Sequence, residues 1–257
     1  WQFKTNISKE LINFKKNKIN IFKLEDIKDN EIVLHHHLGL GDHIICNGLV
    51  NQISHGLDII HLPVKTHYYE MIKFLYRENN KVKLFKVSNN DSGNDVLDYA
   101  KANNKKILRL GFELVKNNPF NSWFYEQIGY PYEYSFKYFY IPTAEKEENE
   151  LKEYLLNYYK IDNSDYVIVH NESHEGIYKL KSINSSKIIY MTKESDLFNN
   201  MLLYRELIIN AKEIHCINSS FLHLVDRIKT DANLYYHNIR NSKFRLDEKW
   251  NVVNYDN

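Results

Sequence analysis

The chain has 257 residues, of which 43% are hydrophobic and 26% charged, so it can bury a core and is not a disordered chain. Its 34 basic and 33 acidic residues nearly cancel, which argues against a nucleic acid or an anionic membrane surface as partner. The length allows one large domain or two smaller lobes.

Short strand-like runs alternate with segments of helical period through the first half, as in βα units around a parallel sheet. In the first helical segment, for example, Ile45, Leu49 and Ile53 recur every four positions. Asn-Asn pairs fall between the segments, where turns belong. The predicted elements are a strand at 31–37, a helix at 42–54, a strand at 58–62, a helix at 66–77, a strand at 81–87, a further helix and a strand at 105–110.

A second series follows an aromatic-rich stretch that is punctuated by Pro119, Pro131 and Pro142. It begins with a charged amphipathic helix at 144–159. The elements predicted after it are strands at 166–170 and 187–191, a helix at 200–211, a strand at 213–217, a helix at 219–228 and a strand at 232–237. The two series predict an α/β protein of two Rossmann-like lobes, residues 1–143 and 144–257, that face each other across a ligand-binding cleft.

Cys46 and Cys216 lie far apart in apolar runs, so no disulfide framework is expected and a reducing, cytoplasmic location is favoured. No apolar run approaches the roughly 18 residues that span a bilayer, so no membrane segment is expected. The chain begins with Trp1 rather than Met and has no signal-peptide pattern, which leaves open that it is a fragment of a longer protein.

The sharpest local feature is a strand-to-helix junction at residues 35–43, three histidines followed by Leu-Gly-Leu-Gly-Asp-His. Two glycines allow a tight turn and the close approach of a ligand, and the first N–H groups of a helix attract an anion. Two interpretations of Asp42 remain open: a general base that points into the cleft, or a helix cap. At most His35 and His37 share a strand face, and the sequence has no Asp-x-Asp motif, so no metal is expected.

A second strand-to-helix junction, at residues 213–224, has two adjacent serines at its turn. Ser219 or Ser220 can cap the helix, and a hydroxyl together with the first-turn N–H groups can hold a phosphate. His223, one turn further on, is either another donor to that phosphate or a packing residue.

A third candidate is the polar loop that leaves the strand at 166–170. His170 opens this loop, and Lys179 and Lys181 lie further along it. Either lysine would neutralise a leaving diphosphate as a point charge, without a metal ion.

With these junctions placed, the chain resembles glycosyltransferases of the GT-B fold, and among them most closely the heptosyltransferase-like family 9. The first match is residues 40–43, where that family has a Gly-Asp turn. The second is residues 218–224, where the family has Asp-Ser/Thr-Gly followed by a helix that begins His-Leu/Ala. Asn218 stands where Asp is usual, and Phe221 falls near the usual glycine.

The resemblance implies an inverting, metal-independent transfer of a sugar, without a cofactor. The donor would be a nucleotide-diphosphate sugar bound mainly by the second lobe, and the acceptor a saccharide or other hydroxyl held by the first. It further implies that Asp42 is the base, with His43 as a second candidate, and that Ser219, Ser220 and His223 contact the donor. The other candidate donor-binding residues are Gly41, His170, Lys179 and Lys181.

Two other functions remain open for the same sequence. A nucleotide-sugar epimerase of GT-B fold would use the same cleft but would need no acceptor. A non-catalytic module of a larger protein would bind glycans or nucleotides without turnover.

Overall fold

The structure is a computed structural model that describes residues 19–112, 119–162, 165–173 and 175–255. The chain separates after Pro142 into two units, Trp1–Pro142 and Thr143–Asn257. The division expected from the sequence, after residue 143, lies one residue further along. Among the described residues, no helix is both long enough and apolar enough to cross a membrane.

The first unit is an α/β unit whose strands alternate with helices. Its described strands are β1 (Asn20–Ile21), β2 (Glu31–His35), β3 (Ile59–Lys65), β4 (Val82–Val87) and β5 (Ile107–Arg109). They form one parallel sheet in the order β1-β5-β2-β3-β4. Its described α-helices are α1 (Leu40–Ser54), α2 (Tyr69–Leu75), α3 (Ser92–Ala102), α4 (Phe120–Glu126) and α5 (Tyr134–Lys137).

Strand β2 occupies the middle of this sheet and has no solvent-exposed apolar residue: Ile32, Val33 and Leu34 are all fully buried. Near-continuous apolar runs are typical of parallel strands that are covered on both faces. The strand ends at His35 rather than at residue 37 as predicted, because its neighbour β5 ends at Arg109, directly opposite His35. The polar residues that come after His35 in the chain therefore lie beyond the carboxyl end of this strand.

Helix α1 belongs to the core of this unit, with Ile44, Ile45 and Leu49 buried, and it begins two residues before the predicted start. Gly48 lets α5 lie directly against it. A Cβ at this position would be 2.4 Å from the backbone carbonyl oxygen of Tyr134, and a backbone oxygen cannot turn aside as a flexible side chain can. The position therefore requires glycine.

We expect Gly48→Ala to destabilise the protein, since overpacking of a close contact costs about 1–3 kcal/mol. A urea or thermal unfolding curve of the whole chain measures the loss. Gly56→Ala is the matched control, because the nearest atom to its added Cβ is the carbonyl oxygen of Ile53 at 3.8 Å, an ordinary contact distance. Equal unfolding midpoints for the two variants would contradict the close approach of α5.

The second unit repeats the architecture. Its described strands are β6 (Val167–His170), β7 (Glu172–Ser173), β8 (Gly176–Ile177), β9 (Ile188–Tyr190), β10 (Glu213–Ile217), β11 (Asn233–Asn238) and β12 (Trp250–Asn254). Five of these form a parallel sheet in the order β12-β11-β10-β6-β9, and β7 and β8 form a separate antiparallel hairpin. Its described α-helices are α6 (Glu145–Tyr158), α7 (Arg205–Asn210) and α8 (Ser220–Arg227).

A buried carboxylate fixes the start of this unit. Glu148 in α6 is fully buried; its Oε1 accepts the backbone N–H of Ala144 at 2.9 Å, and its Oε2 accepts from Nε and Nη2 of Arg205 at 3.0 and 2.9 Å. The same guanidinium donates from Nη1 to the Thr143 hydroxyl at 3.2 Å. The pair joins α6 to α7, and a buried charge left without its partner would be costly.

The sequence predicted the βα alternation, but several elements differ from the predictions. The helices expected at 66–77 and 200–211 each begin as a 3₁₀ turn, Thr66–Tyr68 and Met201–Tyr204, before the α-helical part. β1, the β7–β8 hairpin and β12 were not predicted. In β12 one of the two valines, Val252, is exposed, so this edge strand lacks an apolar pattern that the sequence could reveal.

Candidate functional site

In the first unit, the candidate site lies where β2 leads into α1. Gly39 is the N-cap of the helix and has an extended backbone with φ −73° and ψ 154°, so it does not use the left-handed region open to glycine. What glycine provides here is space: a Cβ on Gly39 would lie 2.7 Å from Oδ2 of Asp42. Gly41 follows as the second helical residue and is half-buried.

Asp42 is the third helical residue, not the cap residue. Its Oδ2 accepts the backbone N–H of Gly39 at 3.1 Å, so the carboxylate caps the helix from inside its first turn. Its other oxygen, Oδ1, accepts no hydrogen bond from the described residues. The two interpretations of Asp42 are therefore compatible, because Oδ2 caps the helix while Oδ1 has no described partner.

The surroundings of Asp42 favour proton transfer near neutral pH. Burial raises its pKa to about 7, while the Gly39 N–H and the positive charge of Lys65 act in the opposite direction. Burial raises the pKa of the nearby Tyr68 hydroxyl, and the negative charge of Asp42 raises it further. A carboxyl group with a pKa near 7 is suited to general base catalysis at physiological pH.

His43, the second candidate base, lies inside the protein. Its ring is fully buried, and neither ring nitrogen has a hydrogen-bond partner among the described residues. The ring packs nearly perpendicular to that of His36, with ring centroids 4.6 Å apart. Burial lowers its pKa well below the usual value and keeps it neutral. Because the His43 ring is fully buried, a substrate cannot contact it in this conformation. Asp42 is therefore the stronger candidate for the base.

The other histidines of the run have structural partners. Nδ1 of His35 lies 3.4 Å from Nη1 of Arg109, and Nε2 of His37 lies 2.8 Å from the carbonyl oxygen of Gly111. Burial lowers the pKa values of His36 and His37 to about 4. Among the residues that the structure describes, no three His, Cys, Asp or Glu side chains lie close enough together to hold a metal ion.

In the second unit, the candidate site lies where β10 leads into α8. The sequence left the cap open between two serines, and the structure assigns it to Ser219, whose Oγ accepts the backbone N–H of Leu222 at 3.3 Å. Ser220 is the first helical residue, and its hydroxyl makes no hydrogen bond with described residues. The first-turn N–H groups and a hydroxyl thus remain available to an anion.

Two histidines flank this turn. His170 ends β6, opposite Cys216 of β10, and its Nδ1 lies 3.2 Å from the carbonyl oxygen of Met191; burial lowers its pKa to about 4. His223 is buried, and its ring packs nearly perpendicular to that of Phe244 with ring centroids 5.1 Å apart; its Nδ1 has no partner among the described residues. Burial, with a smaller effect from the Arg227 charge, lowers the pKa of His223 to about 3. Both rings are therefore neutral at physiological pH.

Neither candidate lysine contacts the Ser219 turn within the described part of the chain. Lys179 is exposed, and Lys181 is exposed with its Nζ 4.6 Å above the ring of Tyr255. The Lys181 backbone N–H also donates to the Tyr255 hydroxyl at 2.9 Å. This anchoring holds the lysine loop against the C-terminal segment.

Two basic residues at these sites were missed from the sequence. Lys65 ends β3, beside β2, and its charge acts on Asp42. Arg240 lies in the loop that follows β11. This loop meets the second site through Ser242, whose hydroxyl accepts from Nδ2 of Asn218 at 2.9 Å, and Asn218 directly precedes Ser219. Both could have been found by the rule that ligands bind at the carboxyl ends of parallel strands.

Comparisons with known proteins give the fold. The chain has the two-lobe GT-B fold. It is similar to the crystal structure of a glycosyl transferase of family 9 from Veillonella parvula DSM 2008, with a TM-score of 0.58 and 13% identity over 89% of this chain and 88% of that one. A second solved structure, the E. coli ADP-heptose LPS heptosyltransferase II, matches with a TM-score of 0.48 and 10% identity over 87% and 89% of the two chains.

The fold assignment rests on the Veillonella parvula structure, and the resemblance inferred from the two junctions is confirmed at the level of fold. No protein-family model matches the sequence, and no curated protein matches it.

A carboxyl group whose pKa is raised by folding opposes stability once it ionises. The stability that this raised pKa contributes is fully present below the ordinary pKa near 4, where the group is neutral in both folded and unfolded protein. It is lost as the pH rises through about 7, because the unfolded protein ionises first. We therefore expect Asp42→Asn, which cannot ionise but can still accept from Gly39, to raise the unfolding temperature more at pH 8 than at pH 5. The exposed Asp98→Asn is the control, and a difference independent of pH would contradict the raised pKa.

Proposed function

We propose that the protein is a glycosyltransferase that moves a sugar from a nucleotide-diphosphate sugar to a hydroxyl of a saccharide or other acceptor, with inversion and without a metal ion. The GT-B fold supports this proposal. The observation that carries it is the Asp42 carboxyl group, with a pKa of about 7 and one oxygen free of described partners at the carboxyl end of the first sheet. In this proposal residues 1–143 bind the acceptor and residues 144–257 bind the donor.

The proposed reaction is a single displacement. Asp42 accepts the proton of the acceptor hydroxyl while that oxygen attacks the anomeric carbon from the face opposite the nucleotide. The new carbon–oxygen bond forms as the bond between the anomeric carbon and the phosphate oxygen breaks. The electron pair of the broken bond leaves with the nucleoside diphosphate, and the configuration at the anomeric carbon inverts.

The second unit supplies groups that suit an anionic leaving group. The N-terminus of α8 presents backbone N–H groups and the Ser220 hydroxyl, and the Ser219 cap fixes where the helix begins. Negative charge that develops on the leaving diphosphate would be stabilised there by groups already in place. A nearby side-chain cation completes the charge balance in this proposal.

Replacing Asp42 tests the base directly. We expect Asp42→Asn to lower kcat by about 10²–10⁴-fold, the usual contribution of general base catalysis, and to leave the affinity for the nucleotide nearly unchanged. Asp98→Asn on the surface of the same unit is the control. Unchanged turnover in Asp42→Asn would remove this residue from the mechanism.

The pH profile gives a second measurement. Asp42 must be ionised to accept a proton, so kcat/KM is expected to fall below pH 7, by about tenfold per pH unit at the acidic end. A thermal-shift screen with ADP, GDP, UDP, CMP and dTDP first identifies the nucleotide, because a ligand that binds only the folded protein stabilises it. Sugar isomerised without an acceptor would show an epimerase, and nucleotide binding without turnover on any acceptor would show a binding module.

A further inference from the structure

The hairpin β7–β8 directly follows β6 in the chain, and hydrogen bonds between the residues on its two sides hold it closed. Asn171, just before the hairpin, donates from Nδ2 to the carbonyl oxygen of Tyr178 at 2.7 Å and accepts the Tyr178 N–H on its own carbonyl oxygen at 2.9 Å. The Tyr178 hydroxyl donates to Oε2 of Glu175 at 2.7 Å. The hairpin therefore presents a fixed, negatively charged carboxylate at the carboxyl edge of the second sheet.

Arg240 reaches this hairpin from the loop after β11. Its Nη2 lies 2.8 Å from the Ser173 hydroxyl, 3.0 Å from Oε2 of Glu175 and 3.1 Å from the Tyr178 hydroxyl. A hydrogen bond of 2.9 Å between the Ser242 N–H and Oδ1 of Asn238 closes the loop that carries it.

The strand order places this contact at the carboxyl edge of the second sheet, the edge at which β10 leads into the Ser219 turn. β10 lies between β11 and β6, so β11 and β6 are about 10 Å apart. The loop that carries Arg240 also meets the turn after β10, because Nδ2 of Asn218, which directly precedes Ser219, donates to the Ser242 hydroxyl at 2.9 Å. The guanidinium thus lies at the same edge as the proposed anion site.

The Arg240 guanidinium has N–H donors that no described residue accepts from. Nε and Nη1 of Arg240 have no hydrogen-bond partner among the described residues, although a guanidinium carries five N–H donors in a planar fork. The ion pair with Glu175 is solvent-accessible, with the two side chains 28% and 53% exposed, and pairs of this kind are weak. A diphosphate carries more negative charge than one carboxylate, and its oxygens match the planar arrangement of the guanidinium donors. It can therefore replace Glu175 as the partner of Arg240.

We propose that Arg240 is the cation that binds the diphosphate of the donor, and that Glu175 holds it in the free protein and releases it when the donor binds. The inference rests on the proposed function and gives its donor site a side-chain cation. Arg240 takes the role considered above for Lys179 and Lys181, because its loop is hydrogen-bonded to Asn218 next to the Ser219 turn, whereas no described contact joins either lysine to that turn. Glu175 is a positioning residue here, because it acts on the donor only through Arg240.

Calorimetric binding of the nucleoside diphosphate selected by the thermal-shift screen, and of its monophosphate, tests the proposal. Arg240→Gln is expected to weaken diphosphate binding at least tenfold and monophosphate binding less than threefold. Glu175→Gln is expected to tighten diphosphate binding two- to fivefold, because the competing carboxylate is gone. The double variant is expected to behave as Arg240→Gln alone, and Arg240→Lys to bind with intermediate affinity because it keeps the charge but loses the fork.

Lys243→Gln is the matched control, since it removes one positive charge from the same segment at an exposed position without described contacts. Equal losses for monophosphate and diphosphate in Arg240→Gln, or weaker diphosphate binding in Glu175→Gln, would show that the ion pair only holds the hairpin and would overturn the proposal. Wild-type protein that binds none of the nucleotides would overturn the proposed function as well. Wild-type binding that persists in Arg240→Gln would remove this inference alone.

Discussion

The hydrogen bond from the Gly39 N–H to Asp42 is the interaction on which the proposed chemistry of the first unit depends. A Cβ at the N-cap would lie 2.7 Å from Oδ2 of Asp42, so any residue other than glycine would displace this carboxylate, although the Gly39 backbone dihedral angles suit any residue. The contact directs one carboxylate oxygen to the helix and leaves the other free of described partners. The packing that orients the carboxyl group also desolvates it and raises its pKa. Orientation and basicity thus have a common origin.

Both units place the proposed polar chemistry at the carboxyl ends of parallel strands, because central strands such as β2 and β6 hold buried apolar side chains along their length. The two ends differ in kind. The first sheet ends in a carboxyl group that titrates near neutral pH, with Lys65 beside it, whereas the second ends in a capped helix N-terminus and a guanidinium. The proposed function would use the first as a proton acceptor and the second as an anion site, the two requirements of transfer from a diphosphate-linked sugar to a hydroxyl.

The alternation of strands and helices could be predicted from hydrophobic period, and the strand predicted at 213–217 coincides with β10. The candidate sites could be located at their junctions but not resolved atom by atom. Adjacent serines give the same capping signal, so only the structure distinguishes Ser219 from Ser220. His43 follows Asp42 directly, yet one helical residue is a rotation of about 100°, which turns its ring into the core. Burial of that kind depends on tertiary packing that the local pattern does not contain.

Arg240 shows why a charge partner is harder to predict than a helix cap. A cap is local, whereas the guanidinium meets a hairpin more than 60 positions earlier in the chain, and only the order β11-β10-β6 brings the two loops together. Any loop along that edge can deliver a positive charge to the same anion, so the fold does not dictate which strand supplies it. At 13% identity a shared fold does not carry over the residues of individual loops, so the proposed cation has to be sought in every loop along this edge of the sheet.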